Sequence, residues 1–162
     1  MGEIRLKHGK VLIIISKYYK DISENLLKSA EKFLKNKSVI YDIIEVPGAL
    51  EIPQALNFNG NLSKNKIFDY RGFVALGCVI KGETYHFEIV SNETNRCLMN
   101  VAIKHSFPLG NGVITAYNYE QALKRSLDKG KEAALACYEL MKIKNQNYHV
   151  DKDWLIILDI NL

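Results

Sequence analysis

The chain has 162 residues, 48% hydrophobic and 25% charged, which suits one compact domain with a full core. Its net charge of +4 comes without a Lys/Arg block or basic–aromatic interleaving, which argues against a nucleic-acid partner. Cys78, Cys97 and Cys137 are widely spaced and odd in number, which argues against a disulfide framework or a zinc site and for buried thiols in a reducing compartment.

In chain order, "MGEIRLKHGK" has no long apolar stretch, and "VLIII" is too short for a signal core or a membrane span. A cytoplasmic protein with no membrane partner is expected. "KVLIIIS" (Lys10–Ser16) reads as a strand buried on both faces. "DISENLLKSAEKFLKN" places Ile22, Leu26, Leu27, Ala30, Phe33 and Leu34 at helical spacing, with Asp21 or Ser23 as N-cap. "SVIYDIIEV" (Ser38–Val46) is β-branched and reads as a second strand, closed by Pro47-Gly48. "ALEIPQAL" is a short helix with Pro53 near its first turn, and "NFNGNLSKNK" a polar, turn-rich connection.

"RGFVALGCVI" is a third buried strand. "YHFEIVSNETNRCLMNVAIKH" follows as a helix whose inner stripe is Phe87, Val90, Thr94, Cys97, Leu98 and Val101. Pro108 and "GNGVIT" give a short fourth strand. "NYEQALKRSLD" turns Tyr119, Ala122, Leu123 and Leu127 inward, Gly130 breaks it, and "GKEAALACYELMKIK" forms a further helix. In the tail, the apolar run Trp154–Leu158 suits an edge strand or a docking segment. The alternation of strand and helix predicts one α/β domain over residues 1–162, with a four-stranded parallel sheet and helices on both faces.

Ligands of such sheets sit beyond the carboxyl ends of the strands. "SKYYKD", "VPGALEIP", "VIKGETYHF" and "GNGVIT" meet there. Gly82 lets the backbone approach a ligand, and Thr84 can cap a helix whose positive end favours an anion; a plain capped turn has the same spelling. His86, in the first helical turn, is a candidate proton shuttle or a capping residue. Arg125 points away from its helix's apolar stripe, as a phosphate clamp or a solvated charge. Tyr18 or Tyr19 can stack on a heterocycle or cover the sheet end. Glu51 can bind hydroxyls or complement a helix dipole.

Taken together and in order, "VPGALEIP" (Val46–Pro53), "ALGCVIKGETYHFE" (Ala75–Glu88) and "GNGVITAYNYEQALKR" (Gly110–Arg125) resemble the lumazine synthase family of riboflavin biosynthesis. The resemblance runs over residues 10–144 and leaves 145–162 as an atypical tail. It implies a flavodoxin-like three-layer αβα sandwich and a transferase. The implied reaction condenses 5-amino-6-(D-ribitylamino)uracil with 3,4-dihydroxy-2-butanone 4-phosphate to 6,7-dimethyl-8-ribityllumazine, with phosphate and water released and without metal or organic cofactor.

The resemblance also implies roles. His86 shuttles protons, and Gly82, Glu83, Thr84 and Arg125 bind the phosphate, the imidazole and the guanidinium converging on one hollow. Tyr18 stacks on the pyrimidine, whose edge meets Cys78, Val79 and Ile80; Ala49, Leu50 and Glu51 hold the ribityl chain; Asn111 comes from a neighbouring subunit. A homo-oligomer of at least five chains is implied, as a pentamer, a decamer or a shell. Two departures stand out: Lys81 occupies a position where arginine is common, and the link from Arg125 to Lys129-Gly130 is short. The rival readings are a shell protein without turnover and a flavin-binding module.

Overall fold

The computed structural model describes residues 10–65 and 70–158. Four strands alternate with four helices: β1 (Lys10–Ser16), α1 (Lys20–Asn36), β2 (Tyr41–Val46), α2 (Glu51–Lys64), β3 (Tyr70–Ile80), α3 (His86–His105), β4 (Leu109–Ala116) and α4 (Tyr119–Leu158). The sheet is parallel throughout, in the order β2-β1-β3-β4. This is the α/β sandwich that the alternation predicts. Among the described residues, no helix is long and apolar enough to cross a membrane.

β1 and β3 lie centrally, so both their faces are covered and their sequences are almost continuously apolar. The period of two divides the core. Val11, Ile13 and Ile15 join Ala30, Leu34, Ala133 and Cys137 on the α1–α4 face. Leu12 and Ile14 join Ile52, Leu56, Val90 and Leu98 on the α2–α3 face. All four strands therefore point their carboxyl ends, and the turns that follow them, the same way.

Several local expectations give way to tertiary contacts. α2 does not stop at Leu56 but runs through the polar "NFNGNLSK" to Lys64. Gly60 explains this: a Cβ there would overlap the Phe107 ring, so the glycine admits an aromatic side chain against the helix and does not end it. The last residue of that expected connection, at 66, lies outside the described residues, as do residues 1–9 and 159–162.

α4 likewise runs unbroken through Gly130 for 40 residues. A Cβ at 130 would overlap the Leu26 carbonyl of α1, so this glycine sets how closely the two helices approach. Beside it, Asn25 Nδ2 donates to Ser126 Oγ at 3.0 Å, and Ser126 Oγ donates to the Leu123 carbonyl at 2.6 Å. The buried face of α4 is therefore Ala122, Ser126, Gly130, Ala133, Ala134, Cys137 and Met141. Tyr119, Leu123 and Leu127, expected inward, are exposed, Leu127 at 59%. Bulk does not fit where helices approach this closely, so small residues line the seam. Further along, Gly72 of β3 lies beneath Cys137 Sγ and Met141 Sδ; a Cβ there would sit 2.5 and 2.6 Å from the two sulfurs.

Capping also differs. Tyr19 is the N-cap of α1 and has no side-chain cap bond. The Ser23 hydroxyl instead donates to the Tyr19 and Lys20 carbonyls at 2.9 and 2.8 Å. Tyr85, not Thr84, is the N-cap of α3, again without a side-chain cap bond. The run Trp154–Leu158 belongs to α4 and forms no edge strand.

Candidate active site

Beyond the carboxyl ends of the strands lies a crevice of about 360 Å³, the size of a small-molecule site. Three strands feed it. After β1 come Tyr18 and Tyr19; after β2, Gly48, Ala49, Leu50 and Glu51; at the end of β3, Cys78, Val79 and Ile80. Gly82 and Thr84 of the following turn and His86, Phe87 and Val90 of α3 complete the wall.

Each wall has a local cause. Pro47-Gly48 ends β2 and turns the chain into α2, whose first residue is Glu51. The Glu51 carboxylate lies over Gly48, where a Cβ would stand 2.8 Å from its Oε2. A carboxylate in the first turn of a helix complements the positive end of the backbone dipole, and here Glu51 also lines the crevice. A carboxylate accepts hydrogen bonds at both oxygens, which suits a hydroxylated ligand.

Tyr18 and Tyr19 divide their tasks. The Tyr19 ring lies edge-on between Tyr18, at 5.0 Å, and Tyr119, at 6.4 Å, and packs on the core. Burial, then the nearby Cys78 and Tyr18, pushes its phenol above the ordinary value. Tyr18 is 74% exposed, which leaves a ring face for a planar ligand. Cys78 is buried at the floor, and burial pushes its thiol up to about 12, so it stays protonated and is a poor nucleophile at neutral pH.

The β3–α3 turn forms the rim. Residues 81–86 are exposed in succession, and nothing lies within 4 Å of a Cβ built on Gly82. No side chain caps α3, whose start, where a helix leaves its leading N–H groups without intrahelical partners, adjoins Gly82, Thr84 and His86. Such groups suit an anion. His86 is the first residue of α3, and its ring joins the same wall.

The rim is tied to the neighbouring β4–α4 turn. Lys81 N donates to the Ala116 carbonyl at 2.9 Å, and Lys81 Nζ lies 5.7 Å from the Tyr117 ring centroid. Lys81 Nζ also pairs with Glu88 Oε1 at 3.2 Å. Among the described residues no group of three His, Cys, Asp or Glu side chains gathers as a metal set.

Eleven of the candidates read from sequence share this wall: Tyr18, Tyr19, Ala49, Leu50, Glu51, Cys78, Val79, Ile80, Gly82, Thr84 and His86. Glu83 is exposed on the rim and does not line the crevice; nor does Arg125, exposed on α4. Asn111 is half-buried on β4, where its Nδ2 donates to Asn95 Oδ1 at 2.7 Å and its Oδ1 accepts from Val113 N at 3.0 Å. Gly48, Phe87 and Val90 are wall residues that sequence reading did not nominate. A signal for Val90 was present: four residues after His86 puts both on one helical face.

A sequence model of the 6,7-dimethyl-8-ribityllumazine synthase family matches residues 8–145. A protein of Bartonella tribocorum named 6,7-dimethyl-8-ribityllumazine synthase is 48% identical over 149 residues, covering 88% of this chain and 95% of that protein. One of the same name from Agrobacterium fabrum is 45% identical over 140 residues, 84% of this chain and 95% of its own length.

Proposed function

The chain belongs to the 6,7-dimethyl-8-ribityllumazine synthase family, and on that premise we propose that its crevice performs the penultimate condensation of riboflavin biosynthesis. 5-Amino-6-(D-ribitylamino)uracil joins 3,4-dihydroxy-2-butanone 4-phosphate to give 6,7-dimethyl-8-ribityllumazine, phosphate and water. The observation that carries this reading is that one crevice gathers the exposed face of Tyr18, the Ala49–Glu51 segment, the end of β3 and the Gly82–Thr84–His86 rim.

In this reading Tyr18 stacks on the pyrimidine, the backbone of Cys78, Val79 and Ile80 meets its polar edge, and Glu51 accepts ribityl hydroxyls. The uncapped start of α3, with Gly82, Glu83 and Thr84, receives the phosphate. An amine of the pyrimidine substrate attacks the ketone, water leaves as the imine forms, phosphate departs by elimination, and the ribityl-bearing nitrogen closes the ring on the remaining carbonyl with loss of a second water. His86 takes and returns the protons these steps move. A neutral Cys78 thiol supplies no competing nucleophile. Holding two substrates in one crevice supplies the larger part of the rate gain.

Arg125 stands outside this chain's own wall, and Asn111 is engaged within its own chain. In this reading Arg125 clamps the phosphate at the crevice of a neighbouring copy, in a cytoplasmic ring of at least five chains. The experiment is a two-substrate assay on the purified protein, read as appearance of fluorescent lumazine. Arg125→Ala is expected to raise KM for the butanone phosphate about tenfold, as for loss of one charge-assisted phosphate contact, with the pyrimidine KM unchanged. No lumazine from an intact assembly would overturn the reading.

A further inference from the structure

We propose that Glu88, acting through Lys81, is the positioning residue for the rim that receives the phosphate, an inference that rests on the function proposed above. The rim has few contacts of its own. Residues 81–86 are all exposed, no heavy atom lies within 4 Å of a Cβ built on Gly82, and α3 starts without a capping side chain. The polypeptide between β3 and α3 is therefore held at its two ends. The Lys81–Glu88 pair joins those ends directly, at 3.2 Å, across the turn. Lys81 also carries the turn to its neighbour, through its backbone bond to Ala116 and its position over Tyr117. Phe87, a wall residue, packs at 6.4 Å on the same Tyr117 ring.

Glu88 does not line the crevice, so it acts on the ligand only through the turn. Its second oxygen, Oε2, is buried and has no hydrogen-bond partner among the described residues. An ammonium engages a single carboxylate oxygen here, leaving the carboxylate half satisfied. A guanidinium presents two parallel donors and fits both oxygens of a carboxylate. The orphan Oε2 therefore defines what this chain's lysine leaves undone: the turn is tied by one bond where two are available.

The test is a double-mutant cycle in the lumazine assay on the full chain. Glu88→Gln and Lys81→Met are each expected to raise KM for the butanone phosphate about fivefold, the upper range for a partly exposed ion pair, with kcat and the pyrimidine KM within about twofold. The double variant is expected to match either single variant, because both remove the same tie. Lys81→Arg is expected to lower the phosphate-substrate KM about twofold by engaging Oε2. A double variant whose KM rise equals the product of the two single effects overturns the proposal, as does an equal loss for both substrates. A wild-type chain that makes no lumazine instead overturns the functional reading, so the two failures are distinct.

Discussion

At the α1–α4 seam, Gly130 faces the carbonyl of Leu26 with no room for a methyl group. At the crevice rim, Gly82 has no heavy atom within 4 Å of where a Cβ would stand. The seam is lined by small buried residues and a bonded Asn25–Ser126 pair; the rim is six exposed residues in a row. The residue type is the same and the physical reason is opposite. One glycine lets two pieces of the fold touch, and the other leaves space that the fold does not fill. Local stability is spent unevenly in this way where a ligand must enter.

The contrast can be broken by adding one methyl group. Gly130→Ala is expected to lower unfolding free energy by about 3 kcal/mol, because backbone overlap outweighs the roughly 1 kcal/mol of helix propensity that alanine adds. Denaturant unfolding checks this, and a stabilised variant would show that the seam yields. His86→Ala sharpens the other side: kcat is expected to fall about a hundredfold while the unfolding midpoint stays put, the loss of a proton shuttle without loss of packing. Gly82→Ala should separate the two regions most cleanly. Its stability is expected to stay within about 0.5 kcal/mol. KM for the phosphate substrate is expected to rise about tenfold, the effect of one methyl group between backbone and ligand. An unfolding shift as large as that of Gly130→Ala would erase the distinction.

The elements that sequence makes legible are those decided locally. β1 and β3 announce themselves as apolar runs, and α1 and α3 by their helical spacing. The misreadings at Gly60 and Gly130 share one cause. Each glycine answers a residue distant in sequence, Phe107 or Leu26, and short-range punctuation rules do not see such partners. The inward face of α4 departs from its apolar spacing because the close seam buries the smallest residues and leaves Tyr119, Leu123 and Leu127 outside. The crevice was more legible than the helices around it, since parallel topology alone brings the ends of β1, β2 and β3 together. Arg125, Glu83 and Asn111 fall outside the wall: Glu83 projects from the exposed rim, Arg125 from the exposed face of α4, and Asn111 is bonded to Asn95 and Val113, placements that residue order alone does not carry.

The two sulfurs above Gly72 carry a chemical consequence. Turning the Met141 thioether into a sulfoxide adds a polar oxygen, and β3 closes off the space beneath it. Met141 is 2% exposed, so peroxide is expected to reach its sulfur only when α4 opens from the sheet. The oxidised fraction of Met141 after peroxide exposure is therefore expected to count such openings.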